Sequence, residues 1–118
     1  MTPVSVLLLA CNALAADEFE CNYSGNQQEM NACAVRDYKQ ADQALNQEYG
    51  SLMARLAPEQ QLQLRKAQRA WLKKRDPQCR KAVRDSEGGS IWQGEFYSCL
   101  EEVTINRTQQ LKQWQVRK

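Results

Sequence analysis

Histidine is absent, and with it go the commonest general base, the commonest zinc ligand and any Ser-His or Cys-His nucleophile pair. An enzyme is therefore not expected, nor a cofactor or metal. Turn-formers are scarce too: five Gly and three Pro, set against many Gln, Leu, Ala, Lys, Arg and Glu, favour helix, because unbranched side chains lose little rotamer freedom there. With 42% hydrophobic residues the chain is too apolar for a disordered tail, and a mean hydropathy of −0.72 is too wet for a lipid-embedded one. Its 118 residues leave room for one domain with a single core.

The N-terminus has no charged side chain through Ala16, an apolar run from Val4 to Ala10 and the small-residue pattern Ala13-Leu14-Ala15. Residues 1–15 read as a secretory signal, leaving residues 16–118 as a single domain. The missing basic residue and the short apolar run are irregular for a signal. A buried N-terminal helix is one alternative; a lipoprotein box, Leu8-Leu9-Ala10-Cys11 with Cys11 lipidated, is another. Export makes the protein periplasmic or secreted, with membrane attachment only through a lipidated Cys11.

Past the signal stand four cysteines, Cys21, Cys33, Cys79 and Cys99, and an even count in a small exported chain reads as two disulfides. Zinc competes poorly, since no pair has the close spacing of a structural site. Of three formal connectivities, Cys21–Cys33 and Cys79–Cys99 each close a short loop, worth roughly 3 kcal/mol by chain entropy.

Three segments carry a helical period. Ala34, Tyr38, Ala41, Leu45, Tyr49, Leu52 and Leu56 form one stripe, which stops at Ala57-Pro58. Pro58 and Glu59 suit the first turn of a second helix, whose inner face holds Leu64, Ala67, Gln68, Trp71 and Arg75 and whose end is predicted at Asp76-Pro77. The connector Arg84-Asp85-Ser86-Glu87-Gly88-Gly89 is turn-forming. A third helix is predicted to open at Ser90, with Gln93 as capping-box partner, and to face inward with Phe96, Cys99, Leu100, Val103, Arg107, Leu111 and Trp114. The fold expected is all-α: a small antiparallel three-helix bundle, a helical hairpin plus a third helix, stapled by two disulfides. Tyr49, Trp71 and Trp114 are its core aromatics.

Arg75 and Arg107 fall on core-facing arcs, where an unpaired guanidinium is costly to bury. A carboxylate should meet them, and Asp42 is the candidate, centring a network with Arg75, Arg107 or both that Gln68 or Asn46 joins; the alternative is that the arginines snorkel outward.

These residues, in order, resemble the bacterial lysozyme inhibitor LprI N-terminal-domain family. The resemblance rests on Cys21, Glu29-Met30-Asn31-x-Cys33, Asp42-x-x-Leu45-Asn46-x-x-Tyr49, Gln68-x-x-Trp71-x-x-x-Arg75-Asp76-x-x-Cys79, Gly88-Gly89-Ser90, Cys99 and Arg107-x-x-x-Leu111. It implies an exported or lipid-anchored helical domain with paired cysteines, in a family named for a member that inhibits lysozyme. The matched residues read as scaffold, so the resemblance marks no contact surface.

Charge is uneven along the chain. Residues 17–59 carry net −5, residues 60–84 net +8 and residues 85–118 net −1. Arg65, Lys66, Arg69 and Lys73 cluster on the outer side of the second helix. They form either a solvated face partly neutralised by the acidic first helix or a docking strip for an anionic envelope polymer or lipid phosphate. Nucleic acid is not expected, because no aromatics lie among the bases to stack on it. Lysozymes of animal hosts are mostly basic, with an acidic cleft; a chain of net +2 gains no long-range steering toward them, so an inhibitor must rely on local features. One is the acidic cluster Asp17, Glu18, Glu20 and Glu29. The other is the segment Asp85, Ser86, Glu87, Gly88, Gly89 and Ser90, a stiffened binding loop or a mere connector. Partners in view are thus a protein, lysozyme or another wall hydrolase, or an anionic envelope polymer. The Glu101-Glu102 doublet points two ways from a helix and is no acid/base pair.

Overall fold

A computed structural model of the chain describes residues 20–114. The expected signal at 1–15, Cys11 and the acids Asp17 and Glu18 lie outside the described residues. Three α-helices are present, α1 (Gln27–Ala54), α2 (Pro58–Ala82) and α3 (Trp92–Lys112), with a short 3₁₀ turn at Arg84–Ser86. The described residues contain no strand. The course is up-down-up: Asn31 of α1 meets Ser90 just ahead of α3, and Leu45 and Leu52 further along α1 share a core with Leu111 near the α3 end. The dominant interface is therefore between the parallel helices α1 and α3, with α2 leaning on α3 over a smaller area.

The start of α1 is fixed by a capping box, in which Glu29 N–H donates to Asn26 Oδ1 at 2.8 Å and Asn26 N–H to Glu29 Oε1 at 3.1 Å. At the start of α2, Pro58 occupies the first turn as expected, and Gln60 Oε1 accepts from Ala57 N–H at 3.0 Å.

Two helix boundaries differ from the sequence reading. The second helix does not end at Asp76-Pro77 but runs through Pro77 to Ala82. Proline deletes one backbone hydrogen bond there, a local cost of ~3 kcal/mol in a helix interior. Contacts on either side hold the geometry: Arg75 is anchored on Asp42, buried Cys79 is bonded to Cys99, and the Arg80 guanidinium lies 5.4 Å from the Phe96 ring. Nor does Ser90 cap α3 with Gln93; Ile91 is the N-cap, without a side-chain bond. The backbone of Ser90 serves elsewhere, its carbonyl accepting from Asn31 Nδ2 at 2.9 Å, which sews the connector to α1.

The core is small and split. Leu45, Leu52, Leu64 and Leu111 form one cluster, with Tyr49, Trp71 and Trp114 packed against it; Cys79, Phe96 and Leu100 form the other, with Tyr38, Trp92 and Val103 alongside. So modest a core makes crosslinks a large share of the stability. Cys79 and Cys99 are disulfide-bonded, pinning the end of α2 to the first half of α3.

Candidate functional site

Between the two apolar clusters, the side chains picked from the sequence assemble into a ladder of cations and rings. The Arg75 guanidinium carbon lies 5.3 Å from the Tyr38 ring and 5.4 Å from the Trp71 ring; that of Arg107 lies 5.8 Å from the rings of both Trp71 and Trp114. The order Tyr38, Arg75, Trp71, Arg107, Trp114 thus draws on all three helices, each arginine seated between two π faces. Helical spacing is the reason: Trp71 and Arg75 are four apart on α2, so their side chains meet.

The polar contacts of the two arginines differ. Arg75 Nη1 donates to Asp42 Oδ1 at 3.1 Å and Nε to Asp76 Oδ1 at 3.1 Å. Burial works against its charge, but the hydrogen bonds to Asp76 and Asp42 outweigh that and hold its pKa above the ordinary arginine value. Arg107 receives no carboxylate among the described residues. Its Nε donates to Gln68 Oε1 at 2.9 Å and Nη1 to Gln110 Oε1 at 3.0 Å, while Nη2 is buried without a partner, and burial lowers its pKa. Of the Asp42-centred network expected with Arg75, Arg107 or both, the structure forms the contact to Arg75, while Gln68 bonds Arg107. Arg107 spends its charge on two amide oxygens and two indole faces. Asn46 is exposed and outside this network. Three participants lie outside the expected network, Gln110, Tyr38 and Asp76; the first two have a sequence signal in their helical spacing, three residues from Arg107 and four from Asp42, and Asp76 adjoins Arg75. Nothing in the ladder pairs a nucleophile with a base, and among the described residues no group of His, Cys, Asp or Glu is placed to hold a metal. Its contacts join side chains of all three helices.

Cys21 and Cys33 stand apart from the ladder, near the start of α1. They are free thiols in this structure, so of the two expected disulfides only Cys79–Cys99 is formed. The two side chains are nonetheless hydrogen-bond neighbours, and burial, then that contact, pushes the Cys33 thiol up to about 11. Beside them Tyr23 Oη donates to Asp37 Oδ2 at 2.7 Å, fastening the segment before α1 onto the helix.

The connector is built as a rigid corner. Gly89 N–H donates to the Ser86 carbonyl at 2.9 Å, Gly88 adopts φ +84°, which disfavours any side chain, and the Ser86 hydroxyl reaches both the Val83 carbonyl and the Glu95 carboxylate. Asp85, Glu87, Gly88, Gly89 and Ser90 remain exposed. Between this corner and α3 runs a shallow groove lined by Val83, Asp85, Ser86, Ile91, Glu95 and Glu102. A second depression, lined by Met30, Asn31, Ala34 and Gly94, shares Ile91, Glu95 and Ser98 with it. Acids rim this surface, and Ile91 and Met30 are its exposed apolar members.

On the opposite side of the molecule's second helix, Arg65, Lys66, Arg69 and Lys73 are all exposed around Leu62 and Ala70. None of the four is in an ion pair among the described residues. Neutralisation by the acidic first helix is confined to Arg75, on the inner face.

A family model described as "Lysozyme inhibitor LprI" matches residues 20–111, most of the chain. An uncharacterized protein of Rhizobium meliloti (strain 1021) is similar, with 36% identity over a 127-residue alignment that covers 94% of this chain and 91% of that protein. No solved structure matches.

Proposed function

The chain belongs to the lysozyme inhibitor LprI family, and from that premise we propose that it is an exported protein that binds lysozyme and blocks it stoichiometrically, without covalent chemistry. The family match over residues 20–111 is the observation that carries this reading. Two features of the molecule support it. A rigid connector costs little ordering entropy when it docks. The groove beside it offers Asp85, Glu95 and Glu102 to a basic partner around exposed Ile91, so local complementarity replaces the steering that a net charge of +2 cannot supply.

In an oxidising compartment the adjacent thiols Cys21 and Cys33 close to a second disulfide beside Cys79–Cys99. Calorimetric titration of the purified protein into lysozyme tests the site. Saturable binding that weakens at least tenfold in Glu95→Arg and Glu102→Arg is expected. Binding that ignores both reversals removes the groove from the interface, and no binding to any lysozyme class rejects the function.

A further inference from the structure

The exposed face of α2 is a second surface, independent of the groove. Leu62, Arg65, Lys66, Arg69 and Lys73 recur at three- and four-residue steps, so they lie along one side of the helix for about 16 Å. All four cations are exposed and in no ion pair among the described residues, and they serve no packing role. Two leucines stand with them in water, Leu62 at 63% exposure and Leu72, on the strip's edge, at 44%.

We propose that this strip docks the protein flat on an anionic phospholipid surface. Four like charges held in a row on a rigid rod repel one another unless a counter-surface takes them up, and a lipid headgroup layer is a plane of phosphates matching a flat strip. The leucines decide between the two polyanions an envelope offers. A soluble wall polymer gives Leu62 and Leu72 nothing, whereas a bilayer takes both side chains below the phosphates while the long Arg and Lys stems keep their charges at that level. The strip's own contact is peripheral, since α2 is neither long nor apolar enough to span.

The test is co-sedimentation of the full chain with vesicles of phosphatidylcholine containing about a third phosphatidylglycerol, against pure phosphatidylcholine, over a salt series. Wild-type protein is expected to bind only the anionic vesicles and to lose that binding steeply with salt. The variant with Arg65, Lys66, Arg69 and Lys73 all changed to Gln is expected to bind at least a hundredfold more weakly, since each cation near such a surface contributes roughly fivefold. Residues 4–10 are common to both proteins, so the difference isolates the strip. Leu62→Ser, an exposed change that spares the core, is expected to weaken vesicle binding several-fold and leave binding to soluble polyphosphate untouched. Equal vesicle binding by wild type and the four-Gln variant overturns the proposal. So does polyphosphate binding tighter than vesicle binding with no effect of Leu62→Ser, which assigns the strip to a wall polymer. Should the four-Gln protein lose its helical circular dichroism, the salt series and Leu62→Ser decide alone.

Discussion

The Arg75 guanidinium donates to the Asp42 carboxylate at 3.1 Å, joining α2 to α1, while the same group lies between the Tyr38 and Trp71 rings. The Asp42 side chain keeps 34% of its exposure and that of Arg75 only 12%, so solvent screens the ion pair and the ring contacts are the drier half. Asp42→Asn should therefore cost under ~1 kcal/mol, and Arg75→Ala roughly 2 kcal/mol, because it also removes two cation–π contacts. Urea unfolding of both variants measures this. Equal losses make the ion pair, and not the stack, the joint between the helices.

Arg107 is the opposite case, a buried charge that among the described residues has no counter-charge and an unpartnered Nη2. Arg107→Met keeps the volume and removes the desolvation penalty, so stability should hold within about 1 kcal/mol or rise; adding Gln68→Leu, which removes the amide left behind, should raise it further. Arg107→Lys should be worse than Met, since an ammonium cannot match the fork that bonds Gln68 and Gln110 while lying over two indoles. Thermal melts rank the three. A methionine variant below the lysine one contradicts this.

Gly94 lies in α3 where a Cβ would meet Asn31 Oδ1 at 2.5 Å. Asn31 cannot easily yield, since it accepts from Gln27 Nε2 at 2.7 Å and donates to the Ser90 carbonyl at 2.9 Å. Gly94→Ala should cost about 1–3 kcal/mol despite its better helix propensity. Denaturant midpoints read it directly, and a stabilised variant shows that α1 and α3 are further apart than described.

With Cys21 and Cys33 reduced, the folded state holds the Cys33 proton up to about pH 11, above the ordinary thiol value of 9.0. A pKa raised on folding gives stability that is complete below pH 9 and drains away as pH climbs toward 11. Tyr23, raised to about 12 first by its hydrogen bond to Asp37, acts in the same direction one step higher. The reduced protein should lose stability from pH 9 upward, and Cys33→Ser should erase the lower part of that loss. Melts across pH 8 to 11 that show no such difference reject the raised thiol.

The helices were legible because their apolar stripes repeat at helical spacing, and Leu45, Leu52, Leu64, Phe96, Leu100 and Leu111 are buried in the structure. What the sequence concealed were the places where a distant contact overrules a local preference. Pro77 reads as a stop, yet Cys79–Cys99 and the anchored Arg75 carry α2 past it. Ser90 reads as a cap, yet its carbonyl belongs to Asn31, 59 residues earlier in the chain. Arg107 reads as needing an acid, and two glutamines with two tryptophans meet it instead. The surfaces were legible only as charge: the basic strip follows from spacing, whereas the groove at Ile91 and Glu95 exists only once the connector folds against α3.

The most direct test is a turbidity titration, in which the purified oxidised protein is added in increasing ratio to lysozyme acting on cell-wall suspensions. The account predicts that lysis by at least one lysozyme class falls in proportion to added protein and ceases near equimolarity. Full-rate lysis by every class under a large molar excess contradicts it.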